Sequence, residues 1–306
     1  MKALVTGGKG FLGRHIVNEL LKQNIETVTY DIIEEQEENY SNNNRENNND
    51  NNLLTYVKGD ILDKSGLKKA MEGCDLVFHT AAIADINIVR NIPEKTMEIN
   101  VLGTTRCLQA ARECGVKRFL FASSVYSAGN HGSFYSVSKK AGESLCKTYY
   151  EEFGLEYTIL RYGSLYGTEA NHWNFIYGLC KQLLLTGKYT YTSSPDSLRE
   201  YINILDASRE SVRIAREQQF ANTVVMLAGH QRMMVKELFK MIEEIIGKDI
   251  SIKYEKTANN SHYVVTPYSY ESDVPIRINL PTYVDISEGI LECLKAVDKD
   301  LKGEKD

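Results

Sequence analysis

Along the first half of the chain, short apolar runs alternate with segments whose apolar residues recur every three or four positions. The runs at 2–6, 25–31, 54–58, 74–80, 117–123 and 156–161 read as strands, and helical spacing predicts helices over 12–23, 65–72, 94–114 and 136–153. This alternation predicts an α/β fold, a doubly wound parallel sheet covered by helices on both faces. Beyond Gly167 the rhythm loosens into helices over 174–186, 206–217, 233–246 and 287–297, with turn-rich loops at 187–198 and 255–282. Two strand-like pieces, 200–206 and 223–228, are expected to return to the main sheet. The expected organisation is a first domain over 1–166, joined by 200–228, and an interleaved smaller lobe over 167–306. The tract "NYSNNNRENNNDNN", residues 39–52, has almost no apolar residue to offset the entropy of ordering and reads as a flexible surface insertion.

Between the first strand and the first helix stands "TGGKGFLG", residues 6–13. Gly7 permits a tight turn, Gly10 lets the backbone approach a pyrophosphate, and Gly13 allows the helix to pack closely on the strand. The helix start, with Phe11 and Leu12, offers free N–H groups and a positive dipole end to that anion. A dinucleotide site of this Rossmann type also needs an acid about 20 residues on, to hold the adenosine ribose. Asp31 closes the second strand eighteen positions beyond Gly13, and its carboxylate would repel a ribose 2′-phosphate, which favours NAD over NADP. Lys9, within the turn, is the residue that argues the other way.

The third strand runs into "KGDILD", where Asp60, followed by Ile61, either accepts from an adenine amino group or caps the next helix. The fourth ends in "VFHTAA", whose Ala81 and Ala82 leave room for a flat cofactor along the carboxyl edge of the sheet. His79 there reads as a packed residue and not as a proton carrier.

Composition limits the partners. With 306 residues, 42% of them hydrophobic, the chain can bury a cofactor half and a substrate half. A net charge of −5 opposes a phosphate-neutralising surface, so nucleic acid is not an expected partner. Six cysteines show neither a CxxC pair nor zinc-site spacing and read as buried reduced thiols, with no metal expected. No leader-like segment precedes the first strand and no apolar run approaches membrane length, so a cytoplasmic protein without a membrane partner is expected.

The chemistry concentrates in "FASSVYSAGNHGSFYSVSKKAGES", residues 121–144. Tyr135 and Lys139 lie four residues apart, neighbours on one helix face. A free tyrosine, with a pKa of about 10, is a poor base at neutral pH, but an ammonium alongside favours the phenolate. Ser123 or Ser124, ending the preceding strand, can hydrogen-bond the same substrate oxygen, so the set can remove a hydroxyl proton while a nicotinamide accepts hydride.

With these residues the chain resembles the extended short-chain dehydrogenase/reductase family, the NAD-dependent nucleotide-sugar epimerases and dehydratases. "TGGKGFLG", Asp31, "GDILD", "HTAA", "EINVLGT", "SS", "YSVSK", "LRYGSLYG" and "REYINILD" stand in the family's order over nearly the whole chain. The resemblance implies Tyr135 as acid/base, Lys139 as its pKa modulator and a ribose ligand, Ser124 as the substrate-hydroxyl partner with Ser123 as the alternative, and Asn100 as a support of the lysine through water. It implies Arg199 as a ligand of the substrate's diphosphate, with Arg277 a weaker candidate, and Ser164 at the position where many members use asparagine on the nucleotide sugar. It also implies a homodimer pairing helices 94–114 and 136–153 across a two-fold axis. "HYVVTPYSY", residues 262–270, is a candidate lining of the base or sugar pocket.

Departures narrow the reaction. Val125 and Tyr126 stand where family dehydratases carry an acid pair, and Val125 stands where fucose-forming epimerase-reductases carry a cysteine. Only eleven positions separate Ser124 from Tyr135, which trims a loop that commonly touches the sugar. The expectation is a nucleotide-sugar 4-epimerase working through a transient 4-keto sugar with the reduced cofactor kept on the enzyme. The alternative is a dehydrogenase or ketoreductase of a nucleotide sugar or sterol-like alcohol, and a non-enzymatic dinucleotide sensor ranks last because the tyrosine–lysine pair is retained.

Overall fold

The computed structural model describes residues 1–34, 53–129, 131–170, 174–230, 232–255 and 275–303. The asparagine-rich tract and residues 262–270 therefore lie outside the described residues. The first half runs β1 (Lys2–Thr6), α1 (Phe11–Lys22), β2 (Glu26–Asp31), β3 (Leu54–Lys58), α2 (Lys64–Met71), β4 (Leu76–His79), α3 (Ile86–Val89), α4 (Pro93–Met97), α5 (Thr104–Glu113), β5 (Arg118–Ser124), α6 (Ser133–Phe153) and β6 (Glu156–Tyr162). The second half runs β7 (Ser164–Tyr166), α7 (Phe175–Thr186), β8 (Lys188–Tyr191), β9 (Leu198–Asn203), α8 (Ile204–Arg216), β10 (Thr223–Leu227), β11 (Arg232–Met234), α9 (Val235–Ile246), β12 (Ser251–Tyr254), β13 (Ile276–Arg277) and α10 (Ile286–Lys302).

Eight strands form one sheet in the order β13-β10-β6-β5-β4-β1-β2-β3, every pairing parallel. Its central strands are buried from end to end, as a sheet covered on both faces requires. Successive side chains point to opposite faces. Ala3 and Val5 meet Ile16, Val17 and Leu20 of α1 and Val212 of α8 on one side, and Leu4 meets Leu67 and Met71 of α2 and Leu108 of α5 on the other. The parallel order puts every strand's carboxyl end on one edge, where the glycine turn, His79, Ser123 and Ser124 all lie.

Several elements differ from the sequence expectation. Of the two returning strands, only β10 joins the main sheet, beside β6. The other, β9, pairs with β7 and β11 in a three-stranded sheet and ends at Asn203, whose side chain caps α8 by accepting from Leu205 N–H at 2.9 Å. The loop expected at 187–198 contains β8, which pairs with β12 from beyond α9. The helix expected over 94–114 is interrupted by a π-helical stretch, Glu98–Gly103. There the Asn100 carbonyl accepts from the Thr104 hydroxyl at 2.6 Å, and Gly103 lies so close to Ile61 that a Cβ would sit 2.5 Å from the Ile61 side chain. All six cysteines are free thiols, and only Cys114 has appreciable exposure. Among the described residues no helix is long and apolar enough to cross a membrane.

Candidate active site

The turn between β1 and α1 is built on glycine for steric reasons. Gly7 has φ +69°, and a Cβ there would lie 2.8 Å from the Ala81 Cα. A Cβ on Gly13 would sit 2.1 Å from the Gly7 carbonyl oxygen, so the helix approaches the turn at a distance only glycine permits. Gly7 also accepts from Gly10 N–H at 2.9 Å, and Gly10 precedes the first turn of α1 with no side chain capping it. The free amides of that turn open onto a cavity of about 590 Å³. Gly7, Gly10, Phe11, Leu12 and Gly13 form one wall of the cavity, with Ala82 beside them. Ser123, Ser124, Tyr135 and Lys139 form another. A phosphate cradle continuous with a tyrosine–lysine pair fits a dinucleotide lying along the carboxyl edge of the sheet.

The two serines have different tasks. Ser124 is hydrogen-bonded to the Tyr135 hydroxyl and accepts from Tyr126 N–H at 3.3 Å. Ser123 turns away, donating to Glu143 Oε1 at 2.5 Å. Lys139 donates from Nζ to the Ala122 carbonyl at 2.7 Å, with Nζ 5.6 Å from the centre of the Tyr135 ring. Burial pushes the Tyr135 phenol up to about 12, the Ser124 hydrogen bond opposing it, and burial pulls the Lys139 ammonium down to about 8. The expected lowering of Tyr135 by Lys139 is thus outweighed by desolvation in the protein alone. At neutral pH the tyrosine is a hydrogen-bond donor and Lys139 is mostly charged.

The other sequence candidates surround this core at different distances. Asp31 sits at the tip of β2, its Oδ2 accepting from Lys9 N–H at 2.9 Å and its Oδ1 from Ile33 N–H at 3.0 Å. It thereby joins the glycine turn to the strand where a ribose would rest. Asp60 does not cap α2. That task falls to Asp63, which accepts from Ser65 N–H at 3.0 Å, while Asp60 closes its own turn by accepting from Leu62 N–H at 2.8 Å. Ile61 is buried beneath Gly103, and Ala81 abuts Gly7. His79 is buried between Thr6 (Nδ1, 2.7 Å) and Thr104 (Nε2, 2.9 Å), and burial pushes it down to about 3, so it stays neutral.

Asn100 is buried close by, and its direct partners are Ile83 and Ser138. It accepts from Ile83 N–H at 2.8 Å, and donates to the Ile83 carbonyl at 2.9 Å and the Ser138 hydroxyl at 3.0 Å. It holds the segment after Ala82 against the start of α6, because Ser138 in turn donates to the Tyr135 carbonyl at 2.8 Å. Ser164, Arg199 and Arg277 are not on the cavity wall. Ser164 lies on β7 opposite Tyr201. Arg199 is buried on β9 and donates to its own strand at Leu198, and Arg277 pairs with Glu200 at 3.1 Å and donates to the Gly229 carbonyl at 3.0 Å. A buried carboxylate next in sequence to Arg199 thus draws in a guanidinium that would otherwise be available to an anion.

Sequence reasoning missed Glu143 and Arg161, a buried ion pair at 2.8 Å directly beneath the serines. The signal was present in the four-residue spacing of Tyr135, Lys139 and Glu143, which places all three along one face of α6. It also missed Asp85, which lines the cavity while capping α3 at 2.7 and 3.1 Å, and Asn174, which lines it while capping α7 and donating to the Leu165 carbonyl at 2.8 Å.

Known proteins share this sequence pattern and this fold. Residues 3–228 match the model of the NAD dependent epimerase/dehydratase family. The uncharacterized UDP-glucose epimerase YtcB of Bacillus subtilis is 29% identical over 269 residues, 83% of this chain and 85% of that protein. A UDP-N-acetyl-alpha-D-glucosaminuronate decarboxylase of Bacillus cytotoxicus is 30% identical over 90% of this chain and 88% of its own. Among solved structures, the UDP-glucose 4-epimerase of Thermotoga maritima with UDP-glucose superimposes with a TM-score of 0.80 at 22% identity, covering 98% of this chain and 100% of that one. With the glycine cradle and the tyrosine–lysine pair on one cavity and the family model spanning most of the chain, this protein belongs to the NAD-dependent epimerase/dehydratase family.

Proposed function

We propose that the protein is a nucleotide-sugar 4-epimerase acting on a UDP-hexose. The observation that carries this reading is the Ser124–Tyr135 hydrogen bond facing the cavity with no carboxylate following it in the chain. Val125, the residue after Ser124, is buried against Met226 and Ala228, Glu143 is paired with Arg161, and Asp85 spends one carboxylate oxygen on capping α3, which leaves the positions that follow Ser124 without an acid to eliminate water from a sugar. The relatives named for UDP-sugars support the nucleotide.

Bound in its oxidised form, NAD supplies the hydride acceptor and a positive charge within the cavity. Gly7, Gly10, Gly13 and Asp31 would hold its phosphates and ribose. With the cofactor's positive charge and the Lys139 ammonium beside it, Tyr135 would release its phenol proton to solvent, and the phenolate would then take the proton of the sugar's C4 hydroxyl, with Ser124 bonded to the same oxygen, and return it after the 4-keto sugar has presented its other face. Lys139 offsets the charge that develops on the phenol. Ala82, Ala84, Ala122 and Gly163 keep the wall small, leaving space for the sugar to turn. Arg199 and Arg277 are the candidates for the substrate diphosphate, Arg277 by exchanging Glu200 for it.

In this reading residues 1–166 with 204–228 bind the cofactor and the remainder forms the substrate lobe. The protein works in the cytoplasm, in keeping with its free thiols, as a homodimer through the outer faces of the π-helical stretch before α5 and of α6, where Leu102, Phe134 and Val137 are exposed. The deciding experiment is incubation with UDP-glucose or UDP-galactose, without added NAD, followed by product separation. Formation of the 4-epimer with no net NADH is expected. NADH rising one-for-one with a keto sugar would replace the epimerase with a dehydrogenase.

A further inference from the structure

Beneath the cavity floor a single carboxylate gathers three donors. Glu143 Oε1 accepts from Ser123 Oγ at 2.5 Å, from Ser127 Oγ at 2.6 Å and from Arg161 Nε at 3.0 Å, while Oε2 accepts from Arg161 Nη2 at 2.8 Å. Glu143 and both serines are buried. Arg161 stands on β6 in register with Ser123 on β5, so one ion pair joins α6 to two adjacent strands. The Ser127 hydroxyl also lies 2.8 Å from the Ser124 carbonyl oxygen. Both ends of the short turn that carries Ser124 are therefore tied to the same carboxylate, and Ala122, whose carbonyl receives Lys139, is the residue just before it.

We infer that Glu143 is a positioning residue of the reaction, its carboxylate clamping Ser123 and Ser127 so that Ser124 and the Ala122 carbonyl hold Tyr135 and Lys139 in working geometry. A hydroxyl displaced by an ångström at this place loses the proton-transfer geometry without losing the ligand sites. Arg161 keeps Glu143 ionised in a dry site, since an unpaired carboxylate there would take up a proton and become a donor. Glu143 also places a negative charge one helical turn beyond Lys139, which favours the ammonium that burial opposes.

The inference rests on the epimerase reading for its kinetic consequence but not for its structural one, and the double variant Ser123→Ala/Ser127→Ala tests both. It removes the clamp while leaving the Glu143–Arg161 pair intact, so no buried charge is orphaned. Amide hydrogen exchange in a peptide spanning 118–128 is expected to quicken about tenfold, whatever the substrate. With UDP-glucose, kcat is expected to fall about tenfold while KM and NAD binding stay within twofold of the parent. Unchanged exchange overturns the inference, and so does accelerated exchange with an unchanged kcat. If the parent enzyme turns over no UDP-hexose, the proposed function fails and the exchange measurement alone decides the clamp.

Discussion

Ser124 and Tyr135 are hydrogen-bonded through their side chains, while Ser123, one residue away, faces the opposite direction toward Glu143. The pair is a donor–acceptor unit in which the phenol, held at about 12 by burial, keeps its proton until substrate and cofactor change its surroundings. Tyr135→Phe removes the hydroxyl placed to exchange a proton with the sugar and leaves the ring packed as before. Turnover is expected to fall by about 10²–10⁴-fold, the usual worth of a positioned acid/base. NAD binding, followed by fluorescence titration, is expected to persist. Loss of both together would make Tyr135 a structural residue.

His79 carries a pH dependence of stability. It is buried as a neutral imidazole between Thr6 and Thr104, and since the Thr104 hydroxyl donates to Asn100, Nε2 donates to Thr104 and Nδ1 accepts from Thr6. Its folded pKa of about 3 lies below the 6.5 of an ordinary imidazole, so between those values the unfolded chain binds a proton that the folded one refuses. Stability present above pH 6.5 is therefore lost as the pH falls, by about 2 kcal/mol between pH 7 and pH 5. Urea unfolding at the two pH values measures this loss. His79→Gln, which cannot titrate, is expected to shrink the difference by that amount, and an undiminished difference would place the loss elsewhere.

What the sequence made legible was local. The glycine turn, the acid ending β2 and the tyrosine–lysine spacing are each set within a few residues of one strand or helix, where period and steric need can be read directly. Contacts across the fold were not legible. Neighbouring residues on a strand point to opposite faces, so "SS" alone could not say which serine meets Tyr135. Asn100 reaches Ile83 from within a π-helical stretch, and helical spacing does not reveal a widened turn. The β8–β12 pair joins two four-residue strands, with β9, β10, β11, α8 and α9 between them in the chain, too short and too polar to announce themselves. Nothing in "VPIRINL" shows that Arg277 pairs with Glu200, a residue far away in the chain.

The glycines separate steric need from backbone preference. Alanine at Gly13 would place its Cβ 2.1 Å from a backbone oxygen, which only a shift of the turn or of α1 can relieve. Gly154 ends α6 at φ +73° with nothing within 4 Å of a Cβ. Gly154→Ala is expected to cost about 1 kcal/mol through the left-handed conformation alone. Gly13→Ala is expected to cost more, about 1–3 kcal/mol for overpacking, and to abolish NAD binding. Thermal unfolding with and without NAD distinguishes them: the Gly154 variant keeps its stabilisation by cofactor and the Gly13 variant loses it.

Asp31 is expected to govern which dinucleotide is accepted. Its two oxygens already receive backbone N–H groups from Lys9 and Ile33, which hold the carboxylate in place at the tip of β2. Glu34, paired at 2.6 Å with Lys58, adds a second acid to the neighbourhood and occupies a cation that might have offset it. The remaining cation, Lys9, carries its ammonium 5.5 Å from the Tyr56 ring. A ribose with free hydroxyls donates to Asp31, whereas a 2′-phosphate brings two negative charges against it. Asp31→Ser removes that repulsion and leaves Lys9 as the dominant charge. NAD affinity is expected to fall about tenfold, or about 1.4 kcal/mol, and NADP affinity to rise until the two bind within a few-fold of each other. Calorimetric titration of both cofactors into parent and variant measures the change, and a parent protein that already binds NADP as tightly as NAD would remove Asp31 from this role.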